Sequence, residues 1–140
     1  MTAKIVLDTN IFVSALISSS SFSREVLRRC LQGQYLPLMG NTLLAEYESV
    51  LSRDEVQTKC PLSSEEIQQL FVSLLSVCEW VSIYYLWRPN LRDEGDNHLI
   101  ELAIAGNAEA IITNNIKDFQ EASLLFPRLA VLKPEALITR

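Results

Sequence analysis

Short runs of strand-forming residues alternate with helical patterns along this sequence, and the alternation limits the fold to few alternatives. These runs are Ile5–Leu7, Tyr35–Met39, Trp80–Tyr84, Ala110–Thr113 and Leu129–Leu132. Strands that alternate with helices are joined by right-handed crossovers, so that neighbouring strands are mainly parallel. The pattern therefore predicts an α/β fold: a three-layer α/β/α sandwich with a mainly parallel central sheet.

Start and stop signals place the helices between these strands. A capping box at residues 63–66 predicts a long helix. Gly33 ends an earlier helix, Asn41 or Thr42 caps the next one, and Pro134 opens a short last helix. The polar residues after the first strand, and the run of serines further on, are predicted to be loop.

Composition and charge narrow the class of protein. The chain has 140 residues, of which 49% are hydrophobic and 21% charged, so we expect one folded domain over residues 1–140 and no disorder. The net charge of −5 provides no strongly basic face for nucleic acid. A protein with this charge needs a bound metal ion or a local basic cluster to accept a polyanion.

Other features indicate the compartment. No apolar run approaches the ~20 residues that span a bilayer, and the apolar segment at the N-terminus is too short for a signal peptide. The three cysteines, Cys30, Cys60 and Cys78, have the spacing of neither a disulfide framework nor a zinc site. We therefore expect a cytoplasmic protein that does not contact a membrane.

Polar side chains follow two of the strands at their carboxyl ends. Asp8 and Asn10 come after the first strand, and Thr113, Asn115 and Asp118 lie at or after a later one. In a parallel sheet these ends meet at one edge, where ligands bind. Each group taken alone also fits a turn-forming role.

The carboxylate of Asp96 is placed unusually for a helix start. The helix that begins at Asp96 or Asn97 and ends at Gly106 has an apolar face of Leu99, Ile100, Leu102, Ala103 and Ile104. Asp96 projects near the middle of that face, which is costly unless the carboxylate caps the helix or binds a cation. Glu101 projects on the opposite side and is expected to be solvated. His98 points away from Asp96, which favours a surface role without a part in catalysis.

A further carboxylate comes from the helix after Gly40. Glu46 and Glu48 flank its apolar stripe at similar angles, so periodicity does not choose between them. Asp8, one of these glutamates, Asp96 and the polar residues around Asn115 are predicted to converge at one end of the sheet. Carboxylates gathered in this way repel one another, and oxygen ligands without His or Cys favour Mg²⁺ or Mn²⁺.

Taken in order and spacing, these segments resemble the PIN-domain ribonucleases. The resemblance spans about residues 4–133 and is carried by residues 5–10, 43–47, 92–97 and 111–119. The most similar subset is the small prokaryotic group described as toxin components of toxin–antitoxin pairs. The resemblance implies a Mg²⁺- or Mn²⁺-dependent endonuclease that hydrolyses RNA, with an antitoxin protein as a partner.

The resemblance also implies roles for individual residues. It assigns the catalytic metal-site acids to Asp8, Glu46 and Asp96, and so selects Glu46 over Glu48. Asn10 and Thr113 would support the site through hydrogen bonds, and Asp93 matches an acidic position that precedes Asp96.

The chain departs from the family pattern at one position. Many members carry a fourth acid where this chain has Asn115. An amide oxygen can bind a hard cation but brings no charge, so Asn115 is a weaker metal ligand unless Asp118 replaces it. The departure leaves open a catalytically weak module that binds RNA or a protein partner. A further alternative is a phosphatase with Asp8 as the covalent nucleophile. Such enzymes usually need a second acid two residues later, and this chain has Asn10 there, which argues against this alternative.

Other surface candidates have ordinary alternatives. Arg24, Arg28 and Arg29 cluster on one helix and would guide RNA phosphates or form a solvated face. Trp80 would stack bases or belong to the core, and the apolar residues 84–87 suggest a surface for an antitoxin or a homodimer.

Overall fold

The structure is a computed structural model that describes residues 2–18, 21–82, 97–119, 126 and 128–139. Its strands are β1 (Ala3–Leu7), β2 (Tyr35–Met39), β3 (Glu79–Trp80), β4 (Ala110–Ile112) and β5 (Ala130–Leu132). Its helices are α1 (Thr9–Ile17), α2 (Phe22–Leu31), α3 (Asn41–Leu51), α4 (Asp54–Lys59), α5 (Ser64–Val77), α6 (Asn97–Ala105) and α7 (Pro134–Ile138). A 3₁₀ turn covers Ile116–Phe119.

The strands form one sheet in the order β3-β2-β1-β4-β5, and each described pairing is parallel. β1 is central, with Ile5 opposite Pro37 of β2 on one side and Ala110 of β4 on the other. Leu7 is opposite Ile112, so β1 and β4 end side by side. The residues that follow these two strands are therefore neighbours, as the predicted parallel sheet requires.

Helices cover the sheet in layers, which confirms the predicted α/β/α architecture. α6 packs against β1, β2 and β4, whereas α2 and α5 pack against β2 and against each other. α7 packs on α2, and α1 and α3 meet at the end of the sheet where β1 stops. β4 and the second half of β1 are buried, with Val6, Ile111 and Ile112 at 0% exposure.

Several predicted boundaries are confirmed. Ser63 and Glu66 form the capping box, in which each side chain accepts a backbone N–H of the other residue, at 3.2 and 3.0 Å. Gly33 has a φ of +83°, the left-handed conformation that stops α2. Pro134 occupies the first turn of α7.

Other boundaries differ from the prediction. The loop expected after the first strand is instead α1, because Ile11, Phe12, Ala15 and Leu16 bury one face of a helix there. α3 has extended Gly40 as its N-cap, without a side-chain cap from Asn41 or Thr42. α4 was not predicted; Val56 is its buried residue.

Gly106 is required by packing rather than by its backbone angle. A Cβ at this position would overlap Leu38 Cδ1 and lie 3.0 Å from Val81 Cγ2. The left-handed conformation after α6 is taken by Asn107, at φ 60°. Gly106 thus lets the end of α6 approach β2.

Part of the sequence interpretation falls outside the described residues. This applies to the loop of residues 90–95, to residues 83–90, which include the apolar segment 84–87, and to Asp93 and Asp96. Trp80 lies on β3 with half its surface exposed. Among the helices of the described ranges, none has the length and apolar character that a membrane span requires.

Candidate active site

Asp8 stands at the junction between the central strand and the first helix. Its backbone N–H donates to the carbonyl of Ile112 at 3.0 Å, which continues the β1–β4 ladder by one residue. Its φ and ψ of −64° and 149° are extended, and α1 begins at Thr9. The side chain is buried, at 5% exposure. The fold thus fixes a carboxylate at the carboxyl edge of the sheet.

A hydrogen-bond network holds one oxygen of this carboxylate. Thr113 Oγ1 donates to Asp8 Oδ2 at 2.8 Å, and Asn10 Nδ2 donates to the same oxygen at 3.2 Å. The backbone N–H of Asn115 donates to Thr113 Oγ1 at 3.0 Å, and that of Asn114 to Asn10 Oδ1 at 3.3 Å. The other oxygen, Oδ1, has a contact of 3.5 Å from Thr9 Oγ1, at the limit for a hydrogen bond. Oδ1 is therefore the oxygen with the weaker side-chain hydrogen bonding.

Tyr47 places Glu46 beside this network. The Tyr47 hydroxyl donates to the carbonyl of Leu7 at 2.9 Å, and its ring packs between Phe12 and Phe71 at centroid distances of 5.7 and 5.4 Å. The bond ties α3 to the last residue of β1, directly before Asp8. The sequence analysis gave the Tyr47 hydroxyl no role, although a buried tyrosine hydroxyl generally needs a partner.

The two glutamates of α3 face different surroundings. Glu46 lies close enough to Asp8 to influence its pKa, and it contacts His98 of α6. Glu48 instead lines a cavity of about 460 Å³ between α3, α4 and α5. The lining of that cavity includes neither Asp8 nor Glu46, so the cavity is separate from the site.

Burial and charge repulsion both act on the Asp8 carboxyl. Burial raises its pKa above the ordinary value of 3.8, and the nearby Glu46 carboxylate raises it further. The Thr113 hydrogen bond opposes both by stabilising the ionised form. Among the described residues no lysine or arginine forms an ion pair with Asp8. The negative charge here lacks a protein countercharge in those ranges.

This donor set fits a hard divalent cation. Carboxylate oxygens and an amide are ligands that suit Mg²⁺ or Mn²⁺, and a bound cation would offset the repulsion between Asp8 and Glu46. Within the described ranges, no group of three or more His, Cys, Asp or Glu side chains could hold a metal ion. The third acid of the expected set, Asp96, lies outside those ranges, as does Asp93.

Asn115 and Asp118 take different places around the network. Asn115 contributes its backbone N–H, while its side chain is exposed. Asp118 sits half-buried in the 3₁₀ turn, where its backbone N–H donates to the carbonyl of Asn115 at 3.1 Å. No described contact involves its carboxylate, so its substitution for a fourth acid stays a prediction.

His98 was expected at the surface and lies instead between helices. Its side chain is 11% exposed, and Nε2 contacts Glu46 Oε2. The contact does not have hydrogen-bond geometry, and neither ring nitrogen has a hydrogen-bond partner among the described residues. The projection failed because it considered α6 alone, whereas α3 packs beside it.

The solvated role predicted for Glu101 is also wrong. Glu101 is 5% exposed, whereas Ile104, assigned to the apolar face, is 38% exposed. Glu101 lines a cavity of about 140 Å³ with Gly40, Leu43 and His98, beneath the start of α3. A second element therefore covers the side of α6 that the projection left to solvent.

The arginine cluster on α2 serves the fold. Arg24 Nε donates to the carbonyl of Ala15 at 2.9 Å, near the end of α1. Arg28 and Arg29 both pair with Glu25, at 3.3 and 3.4 Å. These contacts favour a structural role over guidance of RNA phosphates.

Known proteins resemble the chain in sequence pattern and in fold. A family model for the PIN domain matches residues 4–117. Among solved structures, a chain in the crystal structure of VapBC2 from Rickettsia felis, bound to a DNA fragment from their promoter, matches with a TM-score of 0.61 and 23% identity. The match covers 91% of this chain and 96% of that chain, and it shows the same fold. No curated protein matches significantly.

The family match includes the residues that build the site. Asp8, Asn10, Glu46, Thr113 and Asn115 all lie inside the matched segment. PIN domains are generally nucleases, and those nucleases generally use divalent metals. Because the family model matches most of the sequence, the chain belongs to the PIN-domain family.

Proposed function

We propose that this protein is a metal-dependent endoribonuclease that uses Mg²⁺ or Mn²⁺ to hydrolyse RNA phosphodiester bonds. The observation that carries the proposal is the buried Asp8 carboxylate, held by Thr113 and Asn10 beside Glu46. An acid kept in a position that raises its pKa is typical of functional sites.

Each residue has a defined part in this proposal. Thr113 and Asn10 fix Asp8 Oδ2, so that Oδ1 is directed to the ligand. Glu46 and Asp96 supply the other acidic ligands, and Asn115 adds a neutral one. A divalent ion held by these residues would supply Lewis-acid chemistry: a lower pKa for a bound water and a countercharge for the attacked phosphate. The carboxylates would orient that water for in-line attack on phosphorus, in which the new P–O bond replaces the bond to one ester oxygen and no covalent enzyme intermediate forms.

The metal also reconciles the acidic chain with a polyanionic substrate. The net charge is −5, and the arginines of α2 already have partners within the fold. Within the described ranges, these observations favour attraction of phosphate by the ion over attraction by the arginines of α2.

We further propose that the protein is the toxin of a toxin–antitoxin pair. The similar fold in the VapBC2 complex and the sequence resemblance support a protein antitoxin as partner. Co-expression with the product of a small adjacent open reading frame tests this proposal. A stable complex that suppresses RNA cleavage is expected; a co-expressed product that neither binds nor inhibits contradicts it.

Cleavage of mixed-sequence RNA tests the nuclease directly. The wild type, Asp8→Asn and Glu48→Gln are compared in Mg²⁺, in Mn²⁺ and in excess chelator. We expect cleavage by the wild type and by Glu48→Gln with either ion, no cleavage with chelator, and loss of activity in Asp8→Asn. Undiminished activity in Asp8→Asn would refute the assignment, and Glu48→Gln controls for removal of charge from the same helix.

A second candidate is a catalytically weak module that binds RNA or a partner, and Asn115 favours it. The exposed amide supplies no charge where a fourth acid would help to hold a second ion. Binding of RNA without measurable turnover, at saturating Mg²⁺ or Mn²⁺, would support the module over the enzyme. A gain of RNA cleavage in Asn115→Asp would show that the missing charge at this position causes the weak catalysis.

A further inference from the structure

A histidine of α6 contacts the acidic site through Glu46. His98 lies in the first turn of α6, and Nε2 contacts Glu46 Oε2 on α3. Its side chain is 11% exposed, against 35% for Glu46. The imidazole is thus the more fixed partner of a carboxylate that solvent partly reaches.

The surroundings of the ring leave Glu46 as its described polar partner. Both ring nitrogens are buried and have no hydrogen-bond partner among the described residues. A buried hydrogen-bond donor without a partner is energetically unfavourable. A hydrogen bond from Nε2 to Glu46 would satisfy one of these two nitrogens.

The contact also restricts Glu46. A glutamate side chain has several rotatable bonds and loses entropy when it is held in one rotamer. Tyr47 fixes the backbone of α3 through Leu7, but it does not fix the neighbouring glutamate side chain. A rigid ring placed against Oε2 supplies that restriction and leaves Oε1 for a ligand.

We infer that His98 is a positioning residue that holds Glu46 for the divalent cation of the site. The inference rests on the metal dependence in the proposed function and adds a residue that acts through Glu46. Partners that orient a ligand typically change metal affinity by about 10–100-fold when they are removed. An exposed ion pair without this role would contribute little.

Two amide substitutions separate the positioning role from packing. His98→Gln carries an N–H at about the place of Nε2, whereas the shorter His98→Asn carries one near Nδ1. Both variants are polar and uncharged, and the 140 Å³ cavity beside the ring gives both side chains room. They differ mainly in whether a donor reaches Glu46.

The measurement is Mn²⁺ affinity, by calorimetric titration of the metal-free protein without RNA. We expect affinity to fall about tenfold in His98→Asn and to return toward the wild-type value in His98→Gln. Glu48→Gln, on α3 but directed at the other cavity, should bind Mn²⁺ as the wild type does. Thermal denaturation without metal verifies that each variant is folded.

Several outcomes would overturn the inference. Equal affinity in the wild type and His98→Asn removes the positioning role, and equal losses in both amide variants assign the effect to packing of the ring. A wild type that binds no Mn²⁺ overturns the inference together with the metal centre. Graded Mn²⁺ affinity in a protein that cleaves no RNA counts against the nuclease and leaves the role of His98 supported.

Discussion

Asp8 has two roles, one for its backbone and one for its side chain. It is the residue after β1, so that its backbone continues the sheet ladder, and it carries a carboxylate into an interior that disfavours charge. Thr113 and Asn10 reduce the cost without removing it, because burial and Glu46 still keep the pKa raised. A carboxylate in this position lowers the stability of the fold but provides a charged group for a functional site, a compromise common in proteins with such sites.

Asp8→Asn should therefore stabilise the metal-free protein at neutral pH. The amide keeps an oxygen that accepts from Thr113 and removes the buried charge, so we expect a gain of about 1 kcal/mol, or ~3 °C in Tm. Because the folded pKa is raised, the penalty is present above it and disappears as pH falls below the ordinary value of 3.8. The difference in Tm between variant and wild type should shrink accordingly.

Thermal denaturation from pH 7 to pH 3 measures this difference. Asp54→Asn, which alters an exposed aspartate at the start of α4, provides the comparison and should bring no gain. A lower Tm in Asp8→Asn at pH 7 would show that the ionised carboxylate stabilises the fold.

Tyr47→Phe isolates the bond that anchors α3. The ring contacts with Phe12 and Phe71 remain, but the buried carbonyl of Leu7 loses its donor. We expect a loss of about 1–3 kcal/mol in the free energy of unfolding, measured with urea. Tyr35→Phe, in a half-buried position on β2, should change stability less; similar losses in both would deny the bond a special role.

At the scale of elements, local signals predicted those boundaries that depend on neighbouring residues alone. The capping box at Ser63, the left-handed Gly33 and the proline of α7 are of this kind. α1 was missed because Asp8 and Asn10 are typical turn residues, while the burial of Ile11 and Phe12 that stabilises the helix comes from tertiary packing.

The candidate site was also predictable only in part, namely for the residues that the parallel sheet places. Asp8, Asn10 and Thr113 follow adjacent parallel strands, and a parallel sheet brings such residues together. The positions of Glu46 and His98 depend on how α3 and α6 lie against each other, which periodicity within one helix does not contain.

Gly106→Ala tests the close approach of α6 and β2. The added methyl would overlap Leu38, and overpacking of this kind costs typically about 1–3 kcal/mol. Leu38→Val removes the atom in the way, so the double variant should be more stable than the sum of the two single losses predicts. Strictly additive losses in urea denaturation would contradict the assigned contact.

At the scale of the whole molecule, the charge of the chain and the chemistry of the site are linked. An acidic protein that buries a carboxylate beside another carries unfavourable repulsion, which a divalent cation would relieve. A cation that binds the folded chain and not the unfolded one stabilises the fold by mass action. Metal binding should therefore be visible in global stability, without RNA.

Mn²⁺ should raise the Tm of the wild type and have little effect on Asp8→Asn. At a concentration about 100 times its Kd, the ion contributes about 2.7 kcal/mol, or roughly 8 °C. Glu48→Gln should keep the full increase, since its side chain faces a separate cavity, and chelator should reverse it. An equal increase in Asp8→Asn would place the ion elsewhere, because the amide keeps the shape of the site and lacks the charge that attracts the cation.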